Sequence, residues 1–481
     1  MYKPFKIIPF LSWIFILSCS SEDPTGPGNN TPQPVLTRIV AVGNSLTAGV
    51  QSGGLVDDFQ LNSYPYLIAT QAGKAGDFQQ PLISAPGVGE IDSASGLAYG
   101  PLKYQEGQIV QGDPVPGGVD GIVNLLSNAL LPRAYDNLGL PGADVKDILT
   151  ATGGGIYDLV LRNPYFGNTT AVEQTKSLSP TLIFLWAGNN DVLGAALDGG
   201  NASLITPLPE FRSDYTSILD ELNSINDSSV VLIVANIPNV SDIPYVNLLD
   251  DLIYRPVPEI GLNTAVPVMF DTSFQPILFD TIYVPLLTEE NRVEINHVLL
   301  PFLAEYSENG LGIPDSAALV NMGFSTEQAS IIIQQFMASN LQVSGNPIPA
   351  YMTLTNSEKV NIENAVAGFN QVILELTQAR NIPLVDANAV LNQLNNSGMD
   401  GYSGKFVYFD VENTAFSLDG IHPNDGGYAI IANEFIKVMN QFPDVDIPLL
   451  NTADFKGQYS GMQTKNITRK AAEQARSFFV K

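Results

Sequence analysis

The chain has 481 residues, 45% of them hydrophobic and 15% charged, a composition that can bury a large core and argues against disorder. Acidic residues outnumber basic ones 49 to 22, for a formal net charge of -27, which would repel a phosphate backbone and excludes nucleic-acid binding as a main task. One cysteine and two histidines exclude a disulfide framework and a His-rich or thiolate zinc centre, leaving only an all-carboxylate cation site open on composition; neither a metal nor a cofactor is expected.

The N-terminus carries Lys3 and Lys6, then an apolar run over 7–17, then Ser18-Cys19. That is the form of a secretion signal and is too short for a spanning helix. It resembles a bacterial lipoprotein signal with Ile16-Leu17-Ser18-Cys19 as the lipobox. The resemblance implies removal of 1–18, lipid attachment at Cys19, and a membrane-anchored protein of the cell envelope, at the outer membrane on its periplasmic or outer face. Residues 20–34 contain no apolar side chain, so 19–35 reads as a flexible tether with a reach of about 20 Å. Its Glu22-Asp23 resembles the acidic export tag of surface lipoproteins.

Beyond the tether, short β-branched runs alternate with amphipathic helical patterns. Strands are predicted over 38–42, 134–138, 181–186, 230–236 and 383–386, each short and nearly all apolar, as in a parallel sheet buried on both faces. Phe211, Tyr215, Ile218, Leu219 and Leu222 form one helical stripe; Ile362, Val366, Phe369, Ile373 and Leu376 form another, opened by a capping box at Thr355-Asn-Ser-Glu358. The expected fold is α/β, a flavodoxin-like doubly wound sheet of about five parallel strands with helices on both faces. Two stretches exceed ordinary connections and read as insertions, about 51–130 and 245–353. The second, with a helix start at Ser325-Thr-Glu-Gln328, could form a helical cap, and His297 within it reads as an ordinary helix residue. Gly153-Gly-Gly155 lacks the Lys-Ser or Lys-Thr of a phosphate loop and reads as a plain loop. The basic stretch 465–476 reads as a final surface helix without an assigned function.

In a doubly wound sheet, residues just beyond the strands' carboxyl ends carry the chemistry. Four stretches stand there. Gly43-Asn44-Ser45 follows the first strand, where Ser45 is either a nucleophile or the cap of the next helix. Asn137-Leu-Gly-Leu-Pro-Gly142 follows the second and would bring backbone close to a carbonyl oxygen. Trp186-Ala-Gly-Asn-Asn-Asp191 follows the third and offers an asparagine amide. Ser417-Leu-Asp-Gly-Ile-His-Pro-Asn424 sets Asp419 three residues before His422, close enough to orient the imidazole on one loop.

These four blocks, in this order, resemble the GDSL or SGNH hydrolase superfamily. The resemblance implies a hydrolase domain over 36–442, followed by a C-terminal extension over 443–481. It implies Ser45 as nucleophile, Asp419 and His422 as the acid–base pair, and an oxyanion hole from Ser45, Gly142 and Asn190. One departure stands in the first block, where Asn44 replaces the usual aspartate and brings no charge beside the serine. The implied activity is hydrolysis of a small-molecule, glycan or lipid carboxylic ester through an acyl-enzyme. Two alternatives remain: a carbohydrate O-acetyl esterase, and a surface lipoprotein that binds on the same fold without turnover. Oligomeric state is not legible.

Overall fold

A computed structural model describes residues 34–162, 166–247, 254–257, 262–267, 296–321, 324–338, 341–462 and 466–477. The predicted signal, Cys19 and nearly all of the tether therefore lie outside the described residues.

Five parallel strands form the central sheet: β1 (Ile39–Gly43), β2 (Asn137–Gly139), β3 (Leu182–Trp186), β4 (Val231–Ala235) and β5 (Leu384–Val385). Their order is β2-β1-β3-β4-β5, the flavodoxin-like order, with the chain reversing its direction of travel across the sheet beside β1. Register is continuous across the middle, where Val42 sits opposite both Leu138 and Leu185. The strands read as apolar runs because both faces are covered. Val40, Val42, Ile183, Leu185, Leu232 and Val234 enter one core, while Ile39, Ala41, Leu182, Phe184, Trp186 and Ile233 enter the other.

Helices cover these two faces. The larger core takes α3 (Val145–Thr150), α4 (Asn190–Leu197), α5 (Leu208–Asn223) and α6 (Asn356–Ala379), whereas α1 (Ser45–Ala48) is the short turn after β1. On α5 and α6 the predicted stripes are buried, except that Leu376 is half-buried, and Phe211 stacks on Phe369 with ring centroids 4.1 Å apart. Thr355 and Glu358 form the predicted capping box of α6. Across the sheet, α2 (Tyr64–Gln71) packs on α8 (Asp425–Met439), with Tyr64 stacked on Phe435 at 4.7 Å, and α7 (Ala387–Asn396) follows β5. Within 51–130, α2 thus belongs to the sheet's own covering.

Several elements differ from expectation. The second strand begins at Asn137 rather than 134; the Asp136 N–H donates to the Gln79 carbonyl at 2.6 Å, and the Asp136 side chain pairs with Arg38 at 3.1 Å and Arg133 at 2.7 Å. His297 lies on a strand, Asn296–Val298, paired antiparallel with Thr353–Thr355; the remainder of the predicted helix, 290–295, lies outside the described residues. The described parts of 245–353 combine helices at Phe302–Asn309, Ser316–Asn321 and Thr326–Ala338 with antiparallel strand pairs. The final helix α9 (Arg469–Ser477) is no simple surface helix, since Ala471, Ala472, Gln474 and Ala475 are buried.

Asp191, in the first turn of α4, ties that helix to α3 by accepting the Val145 N–H at 3.0 Å. Burial first, and the Asp144 carboxylate second, push its pKa up to about 7. The fold therefore binds a proton that the unfolded chain, with a carboxyl near 3.9, has released. This contribution to stability is complete below about pH 4 and is lost as pH rises toward about 7. Melting curves between pH 5 and 8 should show wild type losing more stability than Asp191→Asn, whose neutral amide has no such slope; parallel losses would contradict this.

Candidate active site

The chain climbs β1 into Gly43, where a side chain would strike the Trp186 carbonyl and the Thr47 hydroxyl, so only glycine lets β1 lie this close to β3 and α1. Asn44 then caps α1, its Oδ1 accepting the Leu46 N–H at 3.1 Å. Ser45 is thus not the cap, and its hydroxyl is left for other chemistry. It meets the Nε2 of His422 at 3.0 Å, across 377 residues of sequence.

On the other side of the imidazole, His422 Nδ1 lies 2.7 Å from Asp419 Oδ2. The loop before α8 is wound tightly enough for this: Ser417 N–H donates to the His422 carbonyl at 2.8 Å, and Gly420 N–H donates to the Ser417 carbonyl at 3.0 Å. Ser45, Asp419 and His422 are 3%, 0% and 1% exposed, so the line of three is shielded from bulk water. Burial works against a charged Asp419, yet the His422 imidazole and hydrogen bonds from the His422 and Ile421 N–H groups hold its carboxyl below the usual range. An ionised acceptor against Nδ1 fixes the tautomer that leaves Nε2 free to take a proton from Ser45.

The expected oxyanion residues are placed as follows. Asn190 opens α4 at the end of β3 and donates from Nδ2 to the Ala143 carbonyl at 2.8 Å, which sets it beside the turn holding Gly142. Gly142 adopts φ 79°, a left-handed conformation natural to glycine. Among the described residues neither the Ser45 nor the Gly142 N–H donates to a protein acceptor.

A pocket opens beside Ser45 and His422, and Asn190 lines it while Gly142 does not. Its wall is otherwise almost wholly apolar, with Leu46, Leu193, Val240, Leu391, Phe416 and Ile431 prominent. These side chains come from the strand ends and from α1, α4, α7 and α8, which explains why no single stretch of sequence announces the pocket.

Two features escape sequence reading. Asn189 lines the pocket with both amide atoms buried and without a partner, a polar spot in an apolar wall. Gly53, in the loop after α1, donates its N–H to Asp419 Oδ2 at 2.6 Å, and Ser52 N–H donates to Ser417 Oγ at 2.8 Å. A Gly-Asn-Asn-Asp run hints at the first; nothing local hints at the second. Among the described residues, no group of three His, Cys, Asp or Glu side chains converges to hold a metal ion.

A scan against protein-family models finds no match, and a search of curated proteins finds none either. Among solved structures, the chain is similar to a Clostridium thermocellum family 3 carbohydrate esterase, at 14% identity and a TM-score of 0.30, over 84% of this chain and 94% of that one. A likeness this loose carries no argument about chemistry, which rests on the site itself.

Proposed function

We propose that the protein is a carboxylic ester hydrolase that works through an acyl-enzyme on Ser45. The observation that carries this reading is the buried line from Asp419 through His422 to Ser45, with spacings of 2.7 Å and 3.0 Å, at the mouth of an apolar pocket.

In the proposed reaction the Ser45 hydroxyl loses its proton to His422 Nε2 as its oxygen attacks the ester carbonyl carbon. Asp419 holds the imidazole and stabilises its protonated form. The negative charge that develops on the carbonyl oxygen is received by the N–H groups of Ser45 and Gly142 and by the second amide hydrogen of Asn190. Collapse of the tetrahedral intermediate breaks the ester C–O bond, and His422 returns the proton to the departing alcohol. Water then repeats the sequence on the acyl-enzyme, releasing the acid and restoring Ser45.

The apolar wall supports an acyl group longer than acetyl, because each buried methylene contributes about 0.8 kcal/mol of binding. This favours a lipid-like or other hydrophobic ester over an O-acetylated carbohydrate. A non-catalytic binding role would leave the Ser45–His422–Asp419 alignment without a use. We place the enzyme at the cell envelope, tethered through Cys19, on the strength of the lipobox-like Ile16-Leu17-Ser18-Cys19.

Four outcomes are expected with p-nitrophenyl esters. Ser45→Ala lowers kcat on the order of a millionfold, leaving only the residual rate that the oxyanion donors and binding supply, while the variant melts like wild type. Asp419→Asn, which disturbs the imidazole tautomer, costs on the order of 10⁴-fold, and Asn190→Ala costs about 100- to 1000-fold in kcat with little change in KM. Finally, kcat/KM rises from acetate to butyrate and octanoate; a maximum at acetate would favour the acetyl esterase instead.

A further inference from the structure

The C-terminal residues 458–462 and 466–477 lie far beyond the last block of the site in sequence, yet Gln458 and Tyr459 reach the turn 51–54 that meets Asp419, and Gln474 reaches the stretch 100–112 behind it. Gln474 is fully buried on α9; its Nε2 donates to the Gly100 carbonyl at 2.8 Å and its Oε1 accepts the Gly112 N–H at 3.2 Å. Gly100 is followed by the turn whose Leu102 N–H donates to the Ser52 carbonyl at 2.7 Å. Gln458 accepts the Asp425 N–H at 3.1 Å and donates to Gln51 Oε1 at 3.2 Å, while Gln51 donates to Asp425 Oδ1 at 2.7 Å. Tyr459 is buried with its hydroxyl near Ser52, though not in good hydrogen-bond geometry.

The loop so held is the one that reaches the site. Gln51 and Gly54 exchange backbone hydrogen bonds at 3.0 Å, a closed turn that presents the Gly53 N–H to Asp419. A side chain placed at Gly53 would lie 3.9 Å from the Ala475 Cα and 4.0 Å from the Asp419 Cβ, so this residue is sandwiched between α9 and the carboxylate. Strand pairing fastens the same segment, since Asn466–Ile467 runs parallel to Gln108–Val110. Arg469 adds an ion pair to Glu305 at 3.0 Å, on the helix Phe302–Asn309 of the larger insertion.

We propose that residues 458–462 and 466–477 are a positioning brace for the site: through Gln458 and Gln474 they fix the turn 51–54, and the turn fixes the Asp419 carboxylate against His422. The inference rests on the reading of Ser45, His422 and Asp419 given above. It assigns a role to a segment none of whose residues lines the pocket. A carboxylate free to rotate would meet the Nδ1 hydrogen in fewer of its conformations, and misplacements near 1 Å in catalytic sites can cost about 100-fold.

The test is steady-state hydrolysis of p-nitrophenyl butyrate across pH by the full chain, with Gln474→Leu and Gln458→Ala. Gln458 is half-buried, so its variant keeps the test open should Gln474→Leu fail to fold. The brace predicts kcat lowered about 10- to 100-fold in each folded variant, with KM within about twofold. It also predicts an acid limb of the kcat profile displaced to lower pH, because a loosened carboxylate stabilises the protonated imidazole less. Loss of packing alone would lower the active fraction and leave that limb in place. Wild-type kcat and an unmoved limb in folded Gln458→Ala overturn the brace while leaving the Ser45 reading intact. Absence of turnover in wild type overturns that reading and the brace with it.

Discussion

Everything at this site depends on one buried carboxylate. Asp419 has no exposure, and an ion so placed costs several kcal/mol unless its oxygens are satisfied. They are: His422 Nδ1 at 2.7 Å, Gly53 N at 2.6 Å, Ile421 N at 2.8 Å, His422 N at 2.9 Å and Ser417 Oγ at 3.1 Å all donate to it. Four of these come from its own loop or the histidine, and the Gly53 N–H comes from 366 residues away in sequence. The carboxylate thus couples the local loop to the global fold. In the proposed reaction its charge would stabilise the imidazolium formed when His422 takes the proton of Ser45.

Parallel strand order is what makes such a convergence possible. Because all five strands run the same way, the segments after β1, β3, β4 and β5 leave from one edge and share the wall of one pocket. Gly43 permits the close approach of β1 and β3 there, and Asp191 ties α4 to α3 beneath it. The asparagine at position 44 keeps the capping role that an aspartate would have, through Oδ1, but its Nδ2 is buried without a partner. A neutral cap next to Ser45 brings no added negative charge against a developing oxyanion.

Much of this was legible in the chain alone because the signals are local. Apolar runs of five residues announced β1 and β3, the stripes of α5 and α6 repeated at helical spacing, and Thr355 and Glu358 declared a helix start. Asp419 and His422 were legible as a pair because three residues separate them, and Ser45 because a glycine turn follows a strand. What stayed hidden depends on distance in sequence. The contact from Gly53 to Asp419 spans 366 residues, and the link from Gln474 to Gly100 spans 374. His297 misled because an apolar, charged stretch fits a helix until a partner strand at Thr353–Thr355 is supplied. The final helix read as surface because its basic residues are visible in sequence, whereas the burial of Gln474 and Ala475 appears only with its partners in place.

The central claim is that Ser45 is an activated nucleophile, and the most direct measurement is intact-protein mass after exposure to a fluorophosphonate, followed by peptide mapping. The account predicts one phosphonyl adduct per chain, located on Ser45, absent from Ser45→Ala and formed far more slowly in Asp419→Asn. An unmodified wild-type chain, or an adduct on a different serine, would contradict it.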